Sequence, residues 1–406
     1  MRLMPRSATP DATRLLSARA LRGFADGFVS VLLAAYLTEI GFSPLKITAL
    51  ITGTLLGSAA LTLFAGLIGH RLSPRRLLLW ACLLMAATGL GFAGVTAFWP
   101  LLVIAVVGTL NPSAGDVSVF LPTEQALLPL AVDPRERTAL FARYNLAGTF
   151  AGALGALASG VPSILARREG WDLAAAQRSG FFLYAAIAVA VALLYRGLSP
   201  VIDLRRAVVA GGPLAQSRGI VLRLAALFSL DSLGGGFVIQ SVLALWLFQR
   251  FAMNPETVGA VFFVAGLLAG WSQLVAGRLA ARIGLINTMV WTHIPSNILL
   301  ILAALMPTAP LAIALFLLRM SLSQMDVPAR QSYVMAVVPP EERAAAASVT
   351  NVPRSLAAAL TPLASGVLLS LTSFGWPLIC GGLCKGVYDV LLWRQFHSVK
   401  PPEEQT

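Results

Sequence analysis

The sequence predicts an all-α membrane protein whose twelve transmembrane helices form two six-helix bundles. Hydrophobic residues make up 57% of the 406 residues and charged residues only 12%, which is about half the charged share of a soluble domain. Apolar runs of about 20 residues recur along the chain, and a helix of that length crosses ~30 Å of hydrocarbon. Landmarks of the first half also recur in order in the second half.

The individual spans are predicted from apolar runs bounded by charges, prolines and glycines. They lie near residues 15–40, 45–69, 76–96, 99–128, 139–162, 178–196, 219–248, 256–281, 287–306, 310–338, 344–371 and 376–394. Each must be helical because lipid offers the backbone no hydrogen-bond partner. We predict an N-terminal bundle over residues 1–198, a basic linker over 199–218 and a C-terminal bundle over 219–406.

The distribution of basic residues predicts the orientation, because cytoplasmic loops carry an excess of lysine and arginine. The loops after even-numbered spans hold twelve, namely Arg71, Arg75, Arg76, Arg135, Arg137, Arg196, Arg205, Arg206, Arg218, Arg278, Arg282 and Arg343. The opposite loops hold five, namely Lys46, Arg167, Arg168, Arg178 and Arg250. Both termini are therefore predicted to be cytoplasmic. The net charge of +12 is dispersed over these loops, so it predicts orientation in a bilayer and not nucleic-acid binding.

An internal repeat relates the two halves, as in many transporters built from parallel repeats. At a spacing of 211, Pro44, Ile47, Gly66 and Arg71 recur as Pro255, Val258, Gly277 and Arg282. At a spacing of 206, Pro122, Gln125, Arg137 and Asn145 recur as Pro328, Gln331, Arg343 and Asn351. The triplet at 27–29 recurs at 236–238, a spacing of 209. Three ordered segments with nearly constant offsets indicate a duplication.

The loop between the second and third spans carries a recognisable motif. Its sequence is Gly66-Leu67-Ile68-Gly69-His70-Arg71-Leu72-Ser73-Pro74-Arg75-Arg76, and its counterpart starts at Gly277 and contains Arg282. Placed between these spans, with twelve spans and a central basic linker, it resembles the signature loop of the major facilitator superfamily over essentially the whole chain. The resemblance implies the superfamily fold and transport by alternating access. It also implies a cytoplasmic gate, for which the candidates are Gly66, His70, Arg71, Arg75, Arg143, Gly277, Arg282 and Arg354.

Three departures from the family pattern stand in this sequence. His70 occupies the place of the usual acid of the signature loop, and Asn111 stands where the fourth span usually has an arginine. The glycine motif of antiporters is only approximated by residues 148–152, which lack its proline. These departures weaken the charge relay and the antiporter assignment that the family would otherwise imply.

Ionisable residues inside the first span are candidates for a functional site, because a charge at the bilayer centre costs at least ~2.5 kcal/mol. Arg22 and Asp26 share one helix face, and Asp26 lies ~16 Å from the predicted start of the span. Asp26 is the first candidate for a carboxylate that binds a transported proton. The alternative is a static Arg22–Asp26 pair that neutralises itself.

The fourth, seventh and tenth spans supply the remaining candidates. Pro112 and Gly115 predict that the fourth span is bent or unwound beside Asp116, with Glu124 further along. The tenth span carries Arg319, and we expect it to contact the solute or a buried acid such as Asp231. A helix kink with a capping Asp116 is the alternative for the fourth span. The complete set of predicted pathway residues is Arg22, Asp26, Asp116, Glu124, Asp231, Arg319, Asp326 and Arg330.

Other polar residues within spans have simpler interpretations. Lys385 and Asp389 are four residues apart, which predicts an intrahelical ion pair. Arg143 and Arg354 lie near the cytoplasmic ends of their spans. His293 is placed outside the predicted site, because a single histidine in a span is more often structural.

The leading functional hypothesis is a secondary active transporter of a small solute, energised by a proton gradient and requiring no cofactor or metal. Central arginines beside acids predict an organic anion or zwitterion, and the apolar lining also suits a lipophilic drug. Proton-coupled efflux is the first expectation and proton-coupled uptake of an organic anion or nutrient is the alternative. A non-transporting receptor or assembly factor is an alternative of another class. A membrane enzyme is disfavoured, because no nucleophile or metal-ligand motif occurs among only three histidines. Few lysines beside abundant alanine and arginine are typical of a GC-rich bacterium and predict a cell inner membrane. We also expect a monomer.

Overall fold

The computed structural model describes residues 5, 7–68, 73–113, 120–133, 136–199 and 214–399. Within these ranges the chain forms sixteen α-helices, eight in each half, and no β-strand. Nine helical segments of the described chain are long and apolar enough to cross a membrane. Two shorter apolar helices are parts of interrupted spans.

The first half contains four uninterrupted spans and two that are broken. Its helices are α1 (Pro10–Glu39), α2 (Pro44–Ile68), α3 (Pro74–Gly94), α4 (Phe98–Val107), α5 (Phe120–Leu127), α6 (Arg137–Ala158), α7 (Val161–Glu169) and α8 (Leu173–Arg196). Helices α4 and α5 together form the fourth span, and α6 and α7 form the fifth span with its extension.

The second half also has eight helices, but here the broken spans are the first and fourth of the half, which are the seventh and tenth of the chain. Its helices are α9 (Arg218–Gly236), α10 (Gln240–Phe251), α11 (Pro255–Ile283), α12 (Leu285–Leu305), α13 (Ala309–Met320), α14 (Asp326–Val337), α15 (Arg343–Leu371) and α16 (Trp376–Phe396). Helices α9 and α10 form the seventh span, whereas α13 and α14 form the tenth.

The fourth, seventh and tenth spans are therefore interrupted, whereas the hydropathy pattern predicts each as one long segment. Helix α4 ends at Val107 and residues 108–113 are not helical, which agrees with the break expected at Pro112. Three consecutive glycines, 234–236, end α9. In the tenth span Pro328 has no amide hydrogen for a helical bond to residue 324. Unwound backbone at membrane depth marks places where solutes can bind.

Small residues allow the first and fifth spans to pack closely. A Cβ atom on Gly27 would collide with the carbonyl of Gly152, and one on Gly23 would lie 2.6 Å from the carbonyl oxygen of Gly148. In the second half, a Cβ on Gly236 would collide with the backbone of Ala358. Close backbone approach through small residues is the usual basis of helix packing in lipid. The repeat therefore preserves this contact, because Gly27 and Gly236 occupy equivalent positions.

We call the side of the bundle on which α1 begins and α16 ends the terminal side, and the opposite side the far side. On the terminal side each half has the same anchor. Glu136 accepts hydrogen bonds from the Ser7 amide (2.9 Å) and the Ser7 hydroxyl (2.6 Å). Glu342 accepts bonds from the Ser217 amide (3.0 Å) and hydroxyl. Each acid thus ties the segment before the first span of its half to the start of the fifth.

The two halves meet at the interrupted spans and on the far side. The Ser241 hydroxyl lies 2.6 Å from the carbonyl oxygen of Ser30 and 2.7 Å from that of Pro112. On the far side a Cβ on Gly366 would collide with Thr48 across the α2–α15 contact. Large apolar side chains cover the outside of the bundle, including Leu371 (77% exposed), Trp99 (73%) and Trp271 (66%), as expected for a surface facing lipid.

Candidate functional site

A buried carboxylate joins four spans of the first half. Glu124, on the short helix α5, is fully buried and forms an ion pair with Arg22 of α1. Its other oxygen accepts a hydrogen bond from the Tyr195 hydroxyl at 2.6 Å, and Tyr144 donates to the same oxygen as Arg22. The Arg22 guanidinium also lies 4.4 Å from the centre of the Phe120 ring. Because all these donors converge on one carboxylate, its negative charge is balanced inside the bundle.

Of the two interpretations of Asp26, the structure contradicts the static pair, and the proton-binding role stays a prediction. The self-neutralising Arg22–Asp26 pair does not form, because Arg22 extends across to Glu124. Asp26 is buried and accepts one hydrogen bond from the Asn111 amide at 3.3 Å. Within the described residues, no lysine or arginine lies at ion-pair distance from it. Asp116, the neighbouring candidate, lies outside the described residues.

The second half has an equivalent ion pair of opposite polarity. Asp231 on α9 contacts Arg330 on α14, with Oδ2 3.0 Å from Nη1. Arg22 and Asp231 are 209 residues apart, and Glu124 and Arg330 are 206 apart, the offsets of the repeat. Both halves therefore join their first and fourth spans with a buried ion pair, but the acid and the base have exchanged places. Asp326 also lies near this pair, 3.4 Å from Arg330.

In the second half the predicted Lys385–Asp389 pair is wrong, and of the alternatives for Arg319 the contact with Asp231 is not formed. Lys385 does not pair with Asp389 on its own helix, because its Nζ contacts Asp231 Oδ1 at 2.6 Å. Arg319 makes no ion pair with Asp231, whose oxygens are occupied by Lys385 and Arg330. The Lys385–Asp389 prediction rested on their spacing along one helix. In the structure the buried ammonium of Lys385 instead contacts Asp231 on a neighbouring helix.

The histidine excluded from the predicted site lies within it. His293 Nδ1 is 2.8 Å from Asp389 Oδ1, and its Nε2 is 3.8 Å from Asp231 Oδ1. Asn297, one turn further along α12, donates to the other oxygen of Asp389 at 2.8 Å. A usable signal was present in the sequence, because His293 and Asn297 share a helix face and Asp389 is an acid within an apolar span.

Arg319 makes no ion pair with any acid of the described chain. It is 8% exposed and lies one residue before the end of α13, where the tenth span unwinds. Its Nη1 donates only to the Met320 sulfur at 3.3 Å, and its Nε has no hydrogen-bond partner within the described chain. A buried guanidinium with free donors is costly. The arrangement is suited to an incoming anionic group.

Within the described chain, the predicted gate residues Arg75, Arg143 and Arg354 make their side-chain hydrogen bonds inside their own half. Around Gly277 a Cβ would meet no atom within 4 Å, and Arg282 is exposed. Arg75 donates to the Arg196 carbonyl and Arg143 to the Ala139 carbonyl, both within the first half. Arg354 donates to Ser232 within the second half at 3.1 Å. Gly66 lies in the last turn of α2, which ends at Ile68. His70 and Arg71 lie outside the described chain. The structure thus shows the halves in contact on the far side and open space at Gly277.

Comparisons with known proteins agree with this architecture. The Escherichia coli xylose transporter XylE in its inward-open conformation is similar with a TM-score of 0.75 and 14% identity, covering 97% of this chain and 98% of that chain. The nucleoside transporter NupG gives 0.71 and 15%, covering 95% and 98%. A bacterial homologue of the human lysosomal transporter Spinster, inward-facing and unoccupied, gives 0.70 and 14%, covering 94% of each chain. At these identities the similarity concerns the fold.

Sequence comparison identifies the family. The uncharacterized membrane protein YJR124C of Saccharomyces cerevisiae is 25% identical over 429 aligned residues, covering 97% of this chain and 95% of that protein. The sequence profile of the Major Facilitator Superfamily matches residues 15–230 and again residues 224–405. The two matches overlap at residues 224–230, so each half of the chain matches the profile separately. With the interrupted spans and the paired bundles, they show that the chain belongs to the Major Facilitator Superfamily.

Proposed function

We propose that this transporter couples protons to the movement of a small solute that carries an anionic group, such as an organic anion or a zwitterion. Membership of the superfamily makes the chain an integral membrane transporter that works by alternating access, and not an enzyme. The observation that supports the solute class is Arg319. Its buried guanidinium has no acidic partner within the described chain, so a solute carboxylate, phosphate or sulfonate would satisfy it.

Asp26 supports the proton coupling. It is buried in the middle of the first span, and one amide of Asn111 is its hydrogen-bond donor. Keeping such a carboxylate ionised without a cation is costly, so binding of a proton relieves the cost. A bound proton removes a negative charge from the enclosed space. Protonation of Asp26 in the N-terminal bundle therefore favours binding of an anion at Arg319 in the C-terminal bundle, through the electrostatic potential between the halves.

This electrostatic relation favours one direction of coupling. A proton and an anion assist each other's binding, so they move together, whereas a proton and a cation compete and exchange. For an anionic solute, proton-coupled uptake is therefore favoured over the export that the sequence led us to expect first. Exchange-driven export of an apolar drug is the second candidate. An apolar pocket between α10, α11 and α13, lined by Trp246, Phe262 and Phe316 among others, has a cavity volume of about 10 Å³, so it would have to widen to admit such a drug.

We further propose that the terminal side faces the cytoplasm of a bacterial cell and that the monomer is the transporting unit. The excess of arginine in the terminal-side loops supports this orientation. A single chain supplies both halves of the site, which supports a monomer. In this orientation the open space at Gly277 faces inward.

The test is transport by the purified full-length protein in proteoliposomes with an imposed pH gradient, using a panel of labelled organic anions, zwitterions and lipophilic drugs. We expect at least one anion to accumulate with the proton gradient. Arg319→Ala should raise the anion concentration needed for half-maximal transport by about 10- to 150-fold, because a hydrogen bond to a charged group contributes ~1.5–3 kcal/mol. Arg278→Ala, at an exposed arginine, is the matched control. Wild-type transport by both Asp26→Asn and Arg319→Ala would refute the proposed site.

A further inference from the structure

Lys385 lies between two acids that it can neutralise in turn. Its Nζ contacts Asp231 Oδ1 on the seventh span at 2.6 Å. Asp389 lies one helical turn along the twelfth span from Lys385, the spacing at which a lysine and an acid pair on one helix. Lys385 can therefore change partner by a side-chain rotation, without movement of its own helix.

Asp389 depends on an imidazole for neutralisation. It is fully buried, and its oxygens contact His293 Nδ1 and Asn297 Nδ2, each at 2.8 Å. Within the described part of the chain, no lysine or arginine lies at ion-pair distance from Asp389. The His293–Asp389 pair is neutral when it holds one proton in addition to that of the neutral imidazole. Loss of that proton leaves one buried negative charge, which requires a cation.

The other charged groups around the pair are already engaged or point away. Asp231 contacts Arg330, and Arg330 also contacts Asp326. Arg354 donates to Ser232 and Asn351, and the Tyr388 ring stands edge-on to His293 with 6.0 Å between centroids. The titratable and charged groups on the helices packed against α12 and α16 include Asp231 on α9, Arg319 on α13, Asp326 and Arg330 on α14, Arg354 on α15, and Lys385 and Tyr388 on α16. Among these cations, Lys385 is the one that shares a helix with Asp389, four residues away.

We propose that the His293–Asp389 pair binds the coupled proton and that Lys385 is its moving counter-ion. With the proton bound, Lys385 holds Asp231 and ties the twelfth span to the seventh, as in this structure. When the proton leaves to water, Lys385 turns to Asp389, and Asp231 keeps Arg330 alone. The tie to the seventh span is then released close to its break at residues 237–239. This inference rests on the proposed proton coupling and assigns it to the second half.

The test needs no solute, because the proton is the probe. Spin labels at residues 139 and 282, both exposed on the terminal side, are placed in a background lacking Cys82, Cys380 and Cys384, in nanodiscs. Electron–electron distance measurements then give the populations of the open and closed terminal side between pH 5 and pH 9. For wild type we expect the population ratio to change by up to about tenfold per pH unit, the limit for one linked proton.

The variants make opposite predictions. Asp389→Asn should fix the distribution at that of the wild type at low pH, because the site is permanently neutral. Asp231→Asn should favour the high-pH distribution, because Lys385 is free to turn to Asp389. Asp172→Asn, at an exposed helix cap on α8, is the matched control and should titrate like wild type. If Asp389→Asn does not fold, as judged by thermal unfolding and gel filtration, His293→Gln is the second variant, and it should shift the pH midpoint of the distribution because Asp389 must then bind the proton without the imidazole.

The outcomes separate this inference from the proposed function. If wild type titrates and both Asp389→Asn and His293→Gln titrate like it, the proton binds elsewhere and this inference fails while proton coupling stands. The inference also fails if Asp231→Asn and Asp389→Asn shift the populations in the same direction. A wild type whose populations do not respond to pH removes the basis of the inference, and the gradient-driven uptake assay then decides the proposed function separately.

Discussion

The contact between Gly366 and Thr48 provides a mechanical test of the two-state account. Gly366 of α15 lies against α2, where the halves touch on the far side. An added Cβ would lie 2.8 Å from Thr48 Cβ and 3.2 Å from the Pro44 carbonyl oxygen, and closer still to the Thr48 hydroxyl. Thr48 is fully buried, so it has little room to move. Gly366→Ala should therefore destabilise the conformation in which the far side is closed.

The size of the effect follows from packing. Adding a methyl group to a filled contact costs about 1–3 kcal/mol, and a conformation with the far side open does not bear this cost. Alanine also has a higher helix propensity than glycine by about 1 kcal/mol, but α15 is helical in both conformations, so this gain cancels. The ratio of far-side-closed to far-side-open molecules should fall by about 5- to 150-fold.

The ratio can be measured with spin labels at Lys46 and Leu371, both exposed at the far side. A short distance between the two labels reports molecules with the far side closed, and a long distance reports molecules with the far side open. Gly94→Ala is the matched control, because a Cβ there meets no atom within 4 Å. We expect the long distance to gain weight in Gly366→Ala and not in Gly94→Ala. Equal distributions in wild type and Gly366→Ala would show that the halves do not separate at this contact, which would refute the reasoning.

Two further predictions concern stability. Tyr195→Phe removes a hydrogen-bond donor from buried Glu124 and should lower the free energy of unfolding by about 1.5–3 kcal/mol. Tyr36→Phe is the control, because it removes a hydroxyl with no partner in the described chain and should leave thermal stability unchanged. Equal losses of stability in the two variants would contradict the role of Glu124. On the terminal side, hydrogen bonds from the Ser217 hydroxyl and from the amides of residues 215–217 lower the pKa of Glu342 from 4.5 to about 2. The stability that ionised Glu342 contributes is therefore present above pH 4.5 and is lost as the pH falls through 2. Glu342→Gln should therefore show a flatter dependence of Tm on pH over that range than wild type, and parallel profiles would count against the anchor.

The architecture could be predicted because hydropathy and the internal repeat are properties of the linear sequence. Apolar runs set the spans, and the positions of Gly27 and Gly236 already indicated that both halves share one packing scheme. The interruptions were only partly predictable. Pro112 indicated the first, but the unwinding after Met320 depends on the tertiary setting of the tenth span, since no glycine or proline occupies residues 321–325.

The ion pairs were predicted less well for a physical reason. Spacing on one helix suggested Arg22–Asp26 and Lys385–Asp389, yet both basic residues extend to another span. In a dry interior a partner on a neighbouring helix satisfies two buried charges and joins the helices at the same time. The repeat offsets make Arg22 equivalent to Asp231, and Glu124 equivalent to Arg330. Because each equivalent position carries a charge of the opposite sign, comparing the two halves would have predicted one ion pair in each half with acid and base exchanged.

The most direct test of the account is whether the two sides open reciprocally around the buried charges. Distances between labels at residues 139 and 282 report the terminal side, and those between labels at 46 and 371 report the far side. Measured in the same nanodisc preparations across pH and across the panel of anions, the terminal-side distance should shorten wherever the far-side distance lengthens. A far side that stays closed under every condition, or two sides that open together, would contradict alternating access around this site.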